Sequence, residues 1–266
     1  MSQKLEIFIS TYKNFECCPK SDCYTIVHGN EEPITHPLKQ IIEVPGEYSV
    51  IEKQKLWNEG SRLYYIYHNY DWQKNDYIGL NHYRRYFNFF DTVPNMDDIF
   101  STYDVILPPR LGLGTTLEQQ YINCHNFLDF IQIKDIIKDL FPDYIEAMNK
   151  TLKQTHFYAC SMFIMKKEYF QKYCEFVFPV LLEFDKIRGF NTDEDVEKHV
   201  TQYKHLYIKQ IKPMDTIGYQ SRINGFLLER LTNIFVNKHF NNILEIPVIE
   251  TEKKYGMNLF PYIQIK

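Results

Sequence analysis

Four basic or hydrogen-bonding side chains stand in succession at His82, Tyr83, Arg84 and Arg85, directly after the run Tyr77-Ile78-Gly79-Leu80-Asn81. A hydrophobic strand that hands polar and cationic groups to its carboxyl end is the usual way an open α/β sheet builds a ligand site. Two adjacent guanidinium groups offer planar, permanently charged forks to phosphate or carboxylate. The plainer reading of the same stretch is an edge strand capped by solvated arginines. A second constellation lies on the segment from Ser221. Mapped at about 100° per residue on a helix, Arg222, Gly225, Glu229 and Asn233 share one polar face. Ile223, Phe226, Leu227, Leu231 and Ile234 lie opposite. Arg230 falls in the apolar sector, where an unpaired charge is costly, so it is expected to be paired or to pack its stem while its head reaches a rim. Glu229, at the edge of the polar face, is the candidate to take a proton from a substrate hydroxyl. The alternative is an ordinary solvated helix face.

Other reactive residues give weaker signals. Asp193-Glu194-Asp195 has the Asp-x-Asp pattern that can hold a divalent metal on a nucleotide diphosphate, but it lies in a polar run rather than at the end of an apolar strand. No metal ligand is therefore assigned, and a requirement for Mn or Mg is left open. Cys17, Cys18 and Cys23 cluster without a second pair at zinc spacing. Gly112 and Gly114 lack the following Lys-Ser/Thr of a phosphate-binding loop. His125 sits among residues with helical character, where a histidine more often packs or caps than catalyses.

The elements that must position these groups alternate between strand and helix. Strands are expected at residues 4–11, 24–27, 77–80, 103–108, 156–166 and 243–249. Helices are expected at 56–69, 96–103, 118–140, 168–184 and 221–236, with a further helical segment from Pro142 and with Pro179 inside the fourth. Residues 31–47 read as loop, and the charged stretch 190–215 as an insertion or mobile loop. This order predicts an α/β fold with a mixed, mainly parallel sheet flanked by helices. With no internal repeat or linker, residues 1–266 are expected to form one domain.

A net charge of −4 argues against a general nucleic-acid binder, whose affinity rests on neutralising phosphates. No apolar run reaches the ~18 residues of a membrane span, and the opening MSQKLEIFIS is too short a run for a signal peptide. A cytoplasmic protein with reduced thiols is expected.

Several segments together resemble a bacterial family catalogued as domain of unknown function 4422, found in capsule and exopolysaccharide clusters. They are KLEIFIST, EGSRLYYIYHN, DYIGLNHYRRYF, YDVILP, EQQY with the following His125, SMFIMKKEYFQKYCEF and GFLLERL. DYIGLNHYRRYF is the most specific. Three places depart from the family pattern: GEYSVIEK before the first long helix, Ser161 where an Asn is common, and a longer 190–215 segment. The family is similar to GT-A glycosyltransferases, some of them galactofuranosyltransferase-like. The resemblance implies a GT-A-like fold and transfer of a hexose, galactofuranose among the candidates, from a nucleotide-diphosphate donor, UDP-linked by expectation. The acceptor would be a growing capsular, exopolysaccharide or lipopolysaccharide glycan, lipid-linked, met at the inner face of the membrane by peripheral contact at most. Carried over by position, His82, Tyr83, Arg84, Arg85, Glu59 and Arg222 would bind the donor, and Glu229 and His125 would serve catalysis. Two other classes fit the same residues: another nucleotide-dependent transferase such as a nucleotidyltransferase, or an inactive glycan-binding partner of the same fold.

Overall fold

The computed structural model of the chain describes residues 4–15, 21–29, 33–89 and 92–251. Its first two strands, β1 (Leu5–Ser10) and β2 (Tyr24–His28), are buried along their whole length, as strands covered on both faces must be. They are followed by β3 (Lys39–Ile42), β4 (Tyr77–His82), β5 (Arg85–Phe87), β6 (Val105–Leu107), β7 (Leu111–Gly112), β8 (His156–Phe157), β9 (Phe163–Lys166), β10 (Ile243–Glu245) and β11 (Val248–Glu250). The main sheet runs β10-β6-β9-β4-β1-β2-β3. β1 pairs in parallel with β2 and β4, β2 with β3, and β6 with β10, while β9 is antiparallel to β4 and β6. The carboxyl ends of β1, β2, β3, β4, β6 and β10 therefore gather at one edge, together with the turn that enters β9. β5 folds back from β4 and pairs with β11, and β7 with β8 forms a separate small ladder.

Strand periodicity divides the core in two. Ile78 and Leu80 of β4 join Phe8, Val105, Phe163 and Met165 on the face covered by the helices Glu59–Asn69, Lys167–Arg188 and Ile223–His239. Tyr77 joins Ile7, Ile9, Ile106 and Ile164 on the other face, under Met96, Phe100 and Phe157. Between them Gly79 has no room for a side chain: a Cβ there would stand 2.9 Å from Ile164 and 3.1 Å from Ile7. The same alternation places His82, two residues after Leu80, on the helix-covered face.

The mixed, mainly parallel sheet and its flanking helices match the expectation. Several boundaries do not. Residues 31–47 contain β3, an edge strand too polar to stand out. The helix expected at 118–140 is two, Leu117–Cys124 and Phe127–Leu140, because Asn126 caps the second by accepting the Leu128 N–H. The strand expected at 156–166 is broken between β8 and β9 by Cys160 and Ser161, whose φ angles are 68° and 49°. The segment 190–215, expected as an insertion or mobile loop, forms the helices Asp193–Gln202 and Lys204–Tyr207. A capping box from Thr192 and Asp195 starts the first helix; Val196 and Val200 bury its inner side, and Tyr207 buries that of the second. The Asp193 carboxylate accepts the N–H groups of Lys55 and Leu56, and Asp195 belongs to the cap, so both serve helix ends. Cys17 and Cys18 lie outside the described residues.

Candidate active site at the carboxyl edge of the sheet

The end of β4 and the start of the helix Glu59–Asn69 face each other across this edge. Glu59 is brought there by a break in the chain: the short helix Gln54–Trp57 ends at Asn58, whose φ of 55° and ψ of −130° redirect the backbone. Gly225 makes the arrangement possible, because a Cβ there would sit 2.8 Å from that of Asn58. The helix Ile223–His239 can thus press its first turn against the Asn58 turn.

His82 Nε2 lies 2.8 Å from the Cys160 carbonyl and 3.7 Å from Glu59 Oε1. A carbonyl only accepts, so Nε2 carries the proton and donates it to Cys160 O. Burial, then Arg85, Arg84 and Arg222, push the His82 pKa down to about 3, against the Cys160 hydrogen bond; the ring is neutral. Glu59 is 4% exposed, and its Oε2 is buried with no hydrogen-bond partner. Burial first, and the negative charge of Glu229 second, raise its pKa to about 7.

The two neighbouring arginines are not equivalent. Arg85 is buried and pairs with Glu250 at 3.0 Å, tying β5 to β11. Arg84 is half-buried, stands 5.6 Å over the Tyr83 ring, and has Nε and Nη1 buried without hydrogen-bond partners. Arg222 has an unpartnered buried Nε and stands 5.5 Å from the rings of Tyr219 and Phe226. Tyr83 is buried, its ring edge-on to Tyr12 at 5.6 Å.

Glu229 accepts the Cys160 N–H at 2.8 Å through Oε1 and the Arg230 guanidinium at 2.8 Å through Oε2. Its side chain is 20% exposed. Arg230, buried in the apolar sector, is paired as expected: it also donates to the Phe226 carbonyl and to Gln120. The polar helix face is largely a peptide-holding face. Asn233 accepts from Tyr158 N and donates to Tyr158 O, so with Glu229 it pins the chain from residue 158 to 160. Among the described residues His125 makes no hydrogen bond to His82, Glu59 or Glu229. It caps the end of the helix Leu117–Cys124, stacks on Phe226 at 3.9 Å and lies 3.1 Å from Gln220 Oε1. Burial and the Arg230 charge lower its pKa well below the usual histidine range.

The Cys160–Ser161 turn could not be anticipated from sequence. Neither residue is glycine, yet both are left-handed, a conformation that costs energy and persists where surroundings enforce it. The turn supplies the acceptor for His82 and the donor for Glu229, and Ser161 Oγ is buried without a partner. Asn81, fully buried next to His82 in β4, has neither amide atom satisfied.

Residues 6–205 match the family described as domain of unknown function DUF4422. The chain belongs to that family. This DUF4422 chain is also similar in structure to WbbM, a bifunctional glycosyltransferase in its apo form, with a TM-score of 0.68 and 17% identity. The likeness covers 97% of this chain and 47% of WbbM, so the chain spans about half the length of that protein. No curated protein matches. The glycosyltransferase-like fold is therefore established at the level of the backbone.

Chemically, this DUF4422 edge combines guanidinium donors lacking partners, a neutral imidazole and two carboxyl groups, one with a buried unpartnered oxygen and one hydrogen-bonded through both oxygens. Native proteins leave few buried polar groups unsatisfied, so their clustering marks a place made for a ligand or ordered water. No group of three or more His, Cys, Asp or Glu side chains arranged to hold a metal ion occurs among the described residues. The cations that the fold offers to an anionic ligand here are arginines.

Proposed function

We infer that this protein is a glycosyltransferase that moves a sugar from a nucleotide-diphosphate donor to a glycan acceptor. The observation that carries the reading is the pair Arg84 and Arg222, whose buried donor groups lack partners at the carboxyl edge of a glycosyltransferase-like sheet. In this reading they bind the donor diphosphate and stabilise the charge that develops as it leaves. Arg85, bound to Glu250, holds the hairpin that presents Arg84. Tyr83 supports Arg84 from below, and His125 supports Arg222 through the shared Phe226 ring. Glu229 supplies a carboxyl group on the acceptor side, and Glu59 a buried one behind His82. UDP as the nucleotide, a hexose such as galactofuranose, and a lipid-linked surface glycan as acceptor are the finer parts of the proposal and come from the family resemblance. A cytoplasmic location with peripheral contact at the inner membrane face belongs with them. No helix among the described residues is long and apolar enough to cross a membrane.

The test is a panel of nucleotide sugars, with and without Mn²⁺, read by thermal shift and by release of nucleoside diphosphate in the presence of candidate glycans. Release that depends on the acceptor supports the reading. Nucleotide binding with no turnover would indicate an inactive partner of the same fold, and release of pyrophosphate from a nucleoside triphosphate would indicate a nucleotidyltransferase.

A further inference from the structure

The proton acceptor of a glycosyl transfer has to meet the acceptor hydroxyl, and the groups at this edge differ in what they have free. Both oxygens of Glu229 already hold a partner, one an amide and the other a buried guanidinium. Glu59 Oε2 has no partner, but it is shut off from solvent, so a hydroxyl cannot reach it. His82 is different. Its Nε2 is engaged by the Cys160 carbonyl and faces Glu59. Its Nδ1 makes no hydrogen bond among the described residues and is not among the buried unpartnered atoms, and the side chain is 14% exposed. The proton on Nε2 leaves Nδ1 with its lone pair facing outward.

We propose that His82 Nδ1 takes the acceptor hydroxyl proton during transfer and that the buried Glu59 carboxylate is the positioning residue behind it. The inference rests on the glycosyltransferase reading. In the step, the hydroxyl oxygen of the acceptor bonds to the anomeric carbon and its proton passes to Nδ1. The bond from the anomeric carbon to the diphosphate oxygen breaks, and its electron pair leaves with the nucleoside diphosphate. The imidazolium so formed keeps its Nε2–H on Cys160 O and stands next to the Glu59 carboxylate. This is the logic of a histidine oriented by a hydrogen bond, here to a carbonyl, and charge-compensated by a buried acid.

The charges around the ring give the device a dependence on the donor. His82 is faced by Glu59 from the helix Glu59–Asn69, by Arg84 and Arg85 from the hairpin, and by Arg222 from the residue before the helix Ile223–His239. Arg85 is compensated by Glu250, and Glu229, on that last helix, acts on Glu59. Burial and then Arg85 do most to hold the free imidazole neutral, and Arg84 and Arg222 add to them. A bound diphosphate offsets their charge, so the ring gains proton affinity when the donor is in place. Glu59 must be ionised to compensate the imidazolium, which makes kcat/KM rise with pH through about 7, the Glu59 value.

Two measurements test this on the full chain. In the first, wild type, His82→Gln, His82→Asn, Glu59→Gln and Glu59→Asp are compared for UDP affinity and for transfer from whichever UDP-sugar the wild type uses. The expected result is a kcat loss of roughly 10²–10⁴-fold in the His82 variants, with UDP affinity changed by less than about threefold. Glu59→Gln is expected to lower kcat and flatten the rise through pH 7, and Glu59→Asp to restore part of both. Transfer by His82→Gln within a few-fold of wild type, or a loss of UDP affinity that matches the loss of turnover, overturns the proposal. The second measurement needs no variant: ¹⁵N-histidine NMR of the wild type with and without UDP. It should show His82 as the neutral Nε2–H tautomer from pH 5 to 8, titrating at higher pH when UDP is bound. An Nδ1–H tautomer overturns the assignment even if the substitutions unfold the protein. A wild type inert towards every nucleotide sugar sinks the glycosyltransferase reading itself, and this inference with it; an active wild type with an indifferent His82 sinks only the inference.

Discussion

At Glu59 the chain accepts a cost that a solvent-exposed carboxylate would not carry. Its folded pKa of about 7 lies above the ordinary 4.5. Well below 4.5 the acid is protonated in folded and unfolded chains alike; as pH rises through 7 the unfolded chain ionises first, and stability is lost across that window. Glu59→Gln removes the penalty. The variant is expected to melt like the wild type near pH 4 and to be more stable at pH 8 by roughly 1–3 kcal/mol, which melting curves at the two pH values measure. Glu229 has a different role, because its carboxylate pairs with Arg230, which is 2% exposed. Glu229→Gln is expected to cost on the order of 3 kcal/mol as it strips a partner from a buried charge, and to keep measurable transfer under conditions where it remains folded. Turnover abolished at full stability and full UDP affinity would return the proton to Glu229, as the sequence alone suggested. The sequence exposed the residue types at this scale, because arginines after an apolar strand and a carboxylate on a helix face are visible as pattern. It did not expose which arginine is free. That distinction depends on Glu250, far along the chain, reaching Arg85 rather than Arg84.

The elements that carry these residues were legible where burial imposes a period. β1, β4 and the helices Glu59–Asn69, Lys167–Arg188 and Ile223–His239 read directly from their apolar residues. Legibility failed where the deciding contact is non-local or the conformation is rare. The helix Asp193–Gln202 looks like a solvated charge run until Val196, Val200 and the Asp193 contacts with residues 55 and 56 are seen. The Cys160–Ser161 turn has no sequence signal because its left-handed geometry is imposed by His82 and Glu229 from either side. Replacing Ser161 by Gly should relieve about 1 kcal/mol of backbone strain; denaturant unfolding gives the sign. A fall in transfer in the stabilised variant would show that Ser161 Oγ also meets substrate. Gly225→Ala should do the reverse. A methyl 2.8 Å from the Asn58 Cβ must displace the turn that delivers Glu59. A loss of roughly 1–3 kcal/mol is expected, with transfer impaired more than UDP binding.

Over the whole molecule, a DUF4422 chain with the fold of about half of WbbM gathers its unpartnered arginine donors where parallel strands end. The stretch 203–212, which interleaves tyrosine and isoleucine with lysine, is the candidate for a peripheral membrane contact, and the structure narrows it. Tyr207 is buried and donates to Asp129, which leaves Tyr203, Ile211 at 61% exposure and the neighbouring lysines as the outward groups. Flotation with anionic liposomes should recover less of an Ile211→Ser, Lys212→Ser variant than of the wild type; equal recovery removes the membrane contact. The central claim is that Arg84 and Arg222 hold a nucleoside diphosphate, and calorimetry with UDP tests it most directly. Each single Ala substitution should weaken UDP binding by about tenfold or more, as expected for losing a charge-assisted hydrogen bond of roughly 1.5–3 kcal/mol, with the melting temperature retained. Unchanged UDP affinity in both single variants and in the double variant would contradict the account.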